Sequence, residues 1–153
     1  MREQSSNPKD RIGITKVPLH LLPITALAQQ SLAHLDGSLK YGEYNWRNET
    51  VSASVYVAAM MRHALKYYTG ETFDTDSGIH HLAHVAACCN ILMDAQEFDM
   101  LVDDRQKHPQ LAEFLNSMSE EVKRIQAMHR ERQKPQCSPP ERAKPSSEHS
   151  HEA

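Results

Sequence analysis

Between residues 62 and 84 the chain reads RHALKYYTGETFDTDSGIHHLAH, a span that gathers Arg62, His63, Glu71, Asp74, Asp76, His80, His81 and His84. Glu71, Asp74 and Asp76 put three carboxylates within six residues. Two bare charges ~4 Å apart repel by about 1 kcal/mol even in water, and by more in a cleft, so such a group favours a cation. Hard oxygen ligands suit Mg²⁺ or Mn²⁺, which keep several waters and take further ligands from substrate phosphates. The same residues also fit a solvated turn in which Asp74 or Asp76 caps the following helix. His80 and His84 are four apart and His81 and His84 three apart, so all three share one arc of a helix. With Asp76, His80 and His84 would make a zinc site. The HExxH form is absent, and capping or backbone-bonded neutral imidazoles are the competing reading.

A second group precedes it, KYGEYNWR at residues 40–47. Lys40 and Arg47 can meet phosphate, arginine with a fork of donors. Trp46, the only tryptophan, and Tyr41 or Tyr44 offer flat faces for a base, each such stack being worth roughly 1–3 kcal/mol. Asn45 carries both donors and an acceptor that suit a purine edge. Burial of these rings as core plugs is the alternative. No Walker loop, GxSxG or GxGxxG is present. The chain has no His-Asp dipeptide, which argues against the HD-type phosphohydrolases, and no local signature of a Cys-His nucleophile.

The elements that must position these groups are helical. Ile24, Leu27, Ala28, Ser31, Leu32 and Leu35 recur at steps of three and four after Pro23, with Gly37 as the expected stop. Residues 37–50 read as a structured loop, and Thr50 or Ser52 as the cap of a second helix. That helix carries Val55, Ala58, Ala59, Arg62, Leu65 and Lys66 and stops at Gly70. GETFDTDSG is a turn bracketed by Gly70 and Gly78, and Ser77 is the expected cap of a third helix. Ile79, Leu82, Val85, Ala86, Cys89, Leu92 and Met93 line that helix to about residue 100. Asp94, Glu97 and Asp99 crowd its end, the wrong sign for the helix dipole, and are expected to be solvated. A fourth helix carries a near-heptad stripe of Leu111, Leu115, Met118, Val122, Ile125 and His129. No segment alternates long enough to predict a strand. The fold class is all-α, a small bundle of three to four helices whose thin core favours an oligomer. Residues 1–17 read as a mobile arm, 18–132 as the domain and 133–153 as a disordered tail.

Composition bounds the function. The 153 residues fit one domain; 39% hydrophobic and 24% charged content is ordinary for a soluble globular chain. A formal charge of -3 disfavours a nucleic-acid partner. No stretch approaches the ~18 apolar residues of a membrane span, and the polar N-terminus is not a signal peptide. Cys88, Cys89 and Cys137 form no disulfide framework and read as reduced thiols of a cytoplasmic protein.

Taken together, KYGEYNWR and RHALKYYTGETFDTDSGIHHLAHVAACCN resemble the phage dATP/dGTP diphosphohydrolase family, over about residues 18–95. That family follows K-Y-G-x-x-N-W-R, then R-H, then G-E-x-x-D-x-x-S-G-x-x-H-L-A-H and an asparagine. The resemblance implies kinship with the all-α, MazG-like nucleotide pyrophosphohydrolases, oligomers that use Mg²⁺ and cleave between the α and β phosphates of nucleoside triphosphates. It implies purine deoxynucleoside triphosphates as substrates and a homodimer or homotetramer in the host cytoplasm. It also implies supply of dGMP for 2-aminoadenine nucleotide synthesis with depletion of dATP. In this reading Glu71 and Asp74 are the catalytic metal ligands, for Mg²⁺ or Mn²⁺. Lys40 and Arg62 meet phosphate, Asn45 and Trp46 the base, and His63, His81 and His84 orient carboxylates or water. One departure stands out. MazG-like enzymes usually carry E-E-x-x-E before E-x-x-D; here ETFD supplies the second form, while Glu43 and Glu49 sit six apart in place of the first. Glu43, Asp76, a histidine or a substrate phosphate would complete the ligand set. The alternative is a non-enzymatic binding protein stabilised by zinc on His80, His84 and Asp76.

Overall fold

The computed structural model describes residues 7–130. Residues 1–6 of the expected arm, the tail at 133–153 and Cys137 lie outside the described residues. The chain divides into two compact units, Met1–Gln106 and Lys107–Ala153.

The first unit is helical. Its elements are α1 (Pro8–Gly13), α2 (Ile24–Tyr41), β1 (Val51–Ser52), α3 (Ala53–Tyr68), α4 (His81–Glu97) and β2 (Leu101–Val102), with 3-10 turns at Leu19–Leu21 and Asn45–Arg47. Helix α1 falls within the expected arm; Asn7 caps it by accepting from the Lys9 amide at 2.9 Å. The two strands, which no sequence pattern predicted, are two residues each and pair in parallel, Val51 with Leu101 and Ser52 with Val102. They are too short to show alternation.

Helix α2 does not stop at Gly37. It continues one further turn to Tyr41 and ends at Gly42, at φ +94° and ψ 152°. A glycine inside a helix costs only about 1 kcal/mol relative to alanine, and an Asp36–Lys40 ion pair of 2.6 Å spans it at i,i+4 spacing. The chain instead turns at Gly42, in a region of backbone space that is essentially glycine's alone.

Helix α3 starts at Ala53 with Ser52 at the cap position, but neither Ser52 nor Thr50 supplies the capping bond. Asp104 does so from 50 residues away, accepting from the Ser54 amide at 2.8 Å and from its hydroxyl at 2.5 Å. That bond holds the Asp104 carboxyl below its usual range. Helix α4 starts at His81, not after Ser77. His80 is the cap, its Nδ1 accepting from the Leu82 amide at 3.1 Å.

Helix α4 is the centre of this unit and packs against both α3 and α2. The buried apolar residues are Ala33, Val51, Ala53, Ala83, Ala87 and Ala95, with Ile79 against the Ala33, Ala83 and Ala87 cluster. Alanine faces let backbones approach closely but remove little apolar surface from water. The larger side chains Leu32, Leu35, Val55, Met61 and Leu65 are all exposed.

The second unit holds α5 (Leu111–Met128), where the fourth helix was expected. Its stripe of Leu111, Phe114, Leu115, Met118, Val122, Ile125 and Met128 is exposed throughout. With α1 counted, the described residues form five helices, and the all-α class holds.

The two glycines give opposite stability outcomes. An added Cβ meets nothing within 4 Å at either. Gly37→Ala is expected to raise unfolding free energy by about 0.5–1 kcal/mol, and Gly42→Ala to lower it by about 1–3 kcal/mol. Chemical denaturation of both variants measures this; a destabilised Gly37→Ala would mean that α2 breaks where the sequence first suggested.

Candidate active site

The crowded span of the sequence folds into one polar cluster, built where α3 ends and α4 begins. Gly70 (φ +105°) releases the chain from α3. The loop then closes on itself: the Asp74 amide donates to the Ile79 carbonyl at 2.9 Å, and the Gly78 amide to the Asp74 carbonyl at 2.8 Å. Phe73 pairs with His80 as an isolated antiparallel bridge. The His81 amide donates to the Thr72 carbonyl at 3.0 Å, so the loop delivers Glu71 and Asp74 against the first turn of α4.

His81 is the centre of this cluster and is wholly buried. Its Nδ1 lies 2.8 Å from His63 Nδ1 on α3. Its Nε2 lies 3.2 Å from Glu71 Oε1, yet those two atoms lack hydrogen-bond geometry and are both buried without a partner. The His63 ring stacks on His84 at 4.5 Å and 12°. His63, Asp74 and His81 each offer a ligand atom, all within 4.8 Å of one another.

Asp74 is the most constrained carboxylate of the group. Burial raises its pKa, but hydrogen bonds from Ser77 and the ammonium of Lys66 outweigh that and bring it to about 2. Lys66 Nζ is 3.3 Å from Asp74 Oδ1 and 3.6 Å from Glu71 Oε1. The other Asp74 oxygen accepts from the Ser77 amide at 3.3 Å and from its hydroxyl at 3.0 Å. The single Ser77 proton is thereby spent on an ionised carboxylate. His84 Nε2, 3.0 Å from the same hydroxyl, must therefore carry a proton and donate it. Burial lowers the pKa of both His63 and His84, so both are neutral near pH 7.

The zinc set of His80, His84 and Asp76 is not assembled. His80 caps α4 between the Tyr67 and Phe73 rings, each 5.5 Å away, His84 is committed to Ser77, and Asp76 is exposed. Among the described residues the grouping of metal-capable side chains is His63, Asp74 and His81. Arg62 is exposed on α3; burial raises the Cys88 thiol, and the charge of Arg62 offsets part of that rise. Lys40 is paired with Asp36, yet it is near enough for Asp74 to raise it further and for it to lower His84.

The KYGEYNWR group forms a separate groove of about 770 Å³ between α2 and α4. Trp46 and Tyr44 line it, their rings 5.4 Å apart, with His34 5.9 Å from Trp46. Asn45 does not line it. Asp94, expected to be solvated, organises this wall: it accepts from Trp46 Nε1 at 2.7 Å and from Arg47 Nε and Nη2 at 2.7 and 2.8 Å. Those bonds hold Asp94 at a pKa of about 2. The Arg47 guanidinium lies over the Phe98 and Tyr44 rings at 4.1 and 4.8 Å. Glu43 and Glu97 add further carboxylates, so the groove is acidic. None of Glu71, Asp74 or the clustered histidines lines it. At 1.5 Å per residue, His84 and Asn90 are about 9 Å apart along α4, which sets the spacing of the two features.

Sequence reasoning missed Lys66, Ser77 and Asp94. Lys66 carried a signal, one helical turn from His63 and five residues before Glu71. Asp94 carried none, because its partners are 47 and 48 residues away.

The half-buried imidazoles of His63 and His84 tie stability to pH. A histidine whose folded pKa lies below its unfolded value of 6.5 binds its proton more readily in the unfolded chain. Stability is then full above about 6.5 and falls as pH drops below it. Denaturation curves between pH 5 and 8 are expected to show this slope, and His63→Ala is expected to flatten it. An unchanged slope would mean that His63 is not held neutral by burial.

The N-terminal model of the dATP/dGTP diphosphohydrolase family matches residues 6–105. No curated protein and no solved structure matches the chain. The matched span is well over half of the 153 residues and contains every member of both the cluster and the groove. The chain belongs to the dATP/dGTP diphosphohydrolase family of nucleotide pyrophosphohydrolases.

Proposed function

We propose that the protein hydrolyses dGTP and dATP between the α and β phosphates, releasing the monophosphate and pyrophosphate, with a divalent cation held among Glu71, Asp74, His63 and His81. The observation that carries this is the pair of buried, mutually facing atoms that make no hydrogen bond, Glu71 Oε1 and His81 Nε2, beside an ionised Asp74. Buried polar atoms are left unpaired at a cost of about 1–3 kcal/mol each. A cation at the cluster supplies the missing charge, so the donor set fits one. When bound, Mg²⁺ or Mn²⁺ would polarise the α-phosphate and activate water for in-line attack.

The chain's own residues do the rest. Lys66 sets positive charge against both carboxylates and can share it with phosphate oxygens. Lys40 and Arg62 are the further candidates for the triphosphate. Ser77 and His84 fix Asp74. Trp46 and Tyr44 offer the base a stacking wall, and Asn45 remains a candidate for its edge. An acidic groove repels phosphate and suits the base end of a nucleotide.

The exposed leucines of α2 and the α5 stripe support a homodimer or homotetramer. Among the described residues no helix is long and apolar enough to cross a membrane. In the physiological reading the enzyme belongs to a phage and works in the host cytoplasm. It makes dGMP for 2-aminoadenine nucleotide synthesis while removing dATP.

Chromatography after incubation with dGTP or dATP is expected to show dGMP or dAMP with pyrophosphate, abolished by EDTA. Nucleoside plus intact triphosphate would overturn the bond assignment. Trp46→Ala is expected to raise KM by about five- to a hundredfold, the worth of one base stack, with kcat little changed. An unchanged KM would remove the groove from base binding.

A further inference from the structure

The cluster is richer in nitrogen than a magnesium site requires, and its orphaned atoms sort its members into two layers. His63 Nδ1 and His81 Nδ1 are 2.8 Å apart. Two imidazole lone pairs cannot share that distance without a proton or a cation between them. If the proton sits on His81 Nδ1, its Nε2 becomes a lone pair 3.2 Å from the Glu71 carboxylate, which is repulsive. If it sits on His63, His81 Nε2–H faces Glu71 without bonding geometry. A cation bound by both Nδ1 atoms takes the place of that proton and keeps the His81 Nε2–H on the side of Glu71 Oε1, 3.2 Å away, where the charge of a carboxylate can orient a metal-bound histidine.

We propose that His63 Nδ1, His81 Nδ1 and the Asp74 carboxylate bind one first-row transition ion of the Mn²⁺, Co²⁺ or Zn²⁺ class in preference to Mg²⁺, and that Glu71 is not a ligand but the positioning carboxylate that holds His81 through Nε2. This deepens the functional reading above and reassigns Glu71 within it. Mg²⁺ prefers oxygen ligands and keeps its waters, whereas imidazole suits the transition ions, whose affinity for nitrogen sites rises along the first row. Full burial of His81 leaves water unable to substitute for either partner.

The test is Mn²⁺ binding to the full chain without nucleotide, followed by electron paramagnetic resonance, with Mg²⁺ as competitor. One tightly bound Mn²⁺ per chain is expected, displaced only by at least tenfold excess of Mg²⁺, with pulsed spectra showing coupling to imidazole nitrogen. His63→Ala and Asp74→Asn should lose that ion. Glu71→Gln should keep the stoichiometry and the nitrogen coupling while weakening affinity about 10- to 100-fold. Circular dichroism checks that each variant is folded; if His63→Ala is not, the nitrogen coupling of the unaltered chain decides. Equal affinity for Mg²⁺ and Mn²⁺, or no nitrogen coupling, overturns the proposal. Loss of the ion from folded Glu71→Gln, as complete as from Asp74→Asn, overturns the role of Glu71. A chain that binds Mn²⁺ in this way but turns over neither dGTP nor dATP keeps this inference and overturns the functional reading.

Discussion

A fully buried imidazole with polar atoms facing both of its nitrogens is the constraint on which the rest of this unit depends. His81 cannot be rehydrated, so everything near it must supply its partners. That requirement draws α3 inward through His63 and pins the loop after Gly70 through Glu71. It also makes α4 start at His81 rather than at the serine four residues earlier. The alanine core then follows as a geometric consequence. Side chains larger than a methyl between α2 and α4 would hold the helix that carries His81 and His84 away from its neighbours. The unit spends its few interior positions on closeness rather than on apolar area.

Much of this was legible in the sequence. The spacing of apolar residues located α2, α3, α4 and α5, and the density of ionisable residues between 62 and 84 located the cluster. What the sequence could not show was how the cluster is wired. Ser77 has the type and position of a helix cap, and only the fold reveals that Asp74 and His84 claim its hydroxyl while His80 caps the helix. Gly37 has the type of a helix stop, but the Asp36–Lys40 pair carries α2 across it. The carboxylates after Met93 were expected to be solvated, which fails for Asp94 because its partners come from a loop nearly fifty residues upstream. Local pattern reports local physics; long-range pairing is invisible to it.

The two polar features are opposite in character. The cluster brings Lys66, with Lys40 nearby, to carboxylates and neutral imidazoles. The groove is walled by aromatic rings and carboxylates, its one adjacent guanidinium neutralised by Asp94. Helix α4 contributes His81 and His84 to one and Asn90, Met93 and Asp94 to the other, so a single rigid element fixes their separation. That division suits a ligand with an anionic end and a flat, hydrogen-bonding end, which is the chemistry of the family to which the chain belongs.

The Asp104 carboxylate at the start of α3 also defines where the first unit can be cut. Helix α3 begins with its leading amides unpaired unless residues about fifty positions downstream fold back, and β2 must pair with β1 to bring them there. A chain ended between Glu97 and Asp104 would keep every residue of the cluster and groove yet leave the helix carrying His63 and Lys66 uncapped at its N-terminus. The smallest autonomous piece of this protein is therefore set not by its chemistry but by the last residue needed to close that circuit. The family match, which ends at residue 105, stops one residue beyond it.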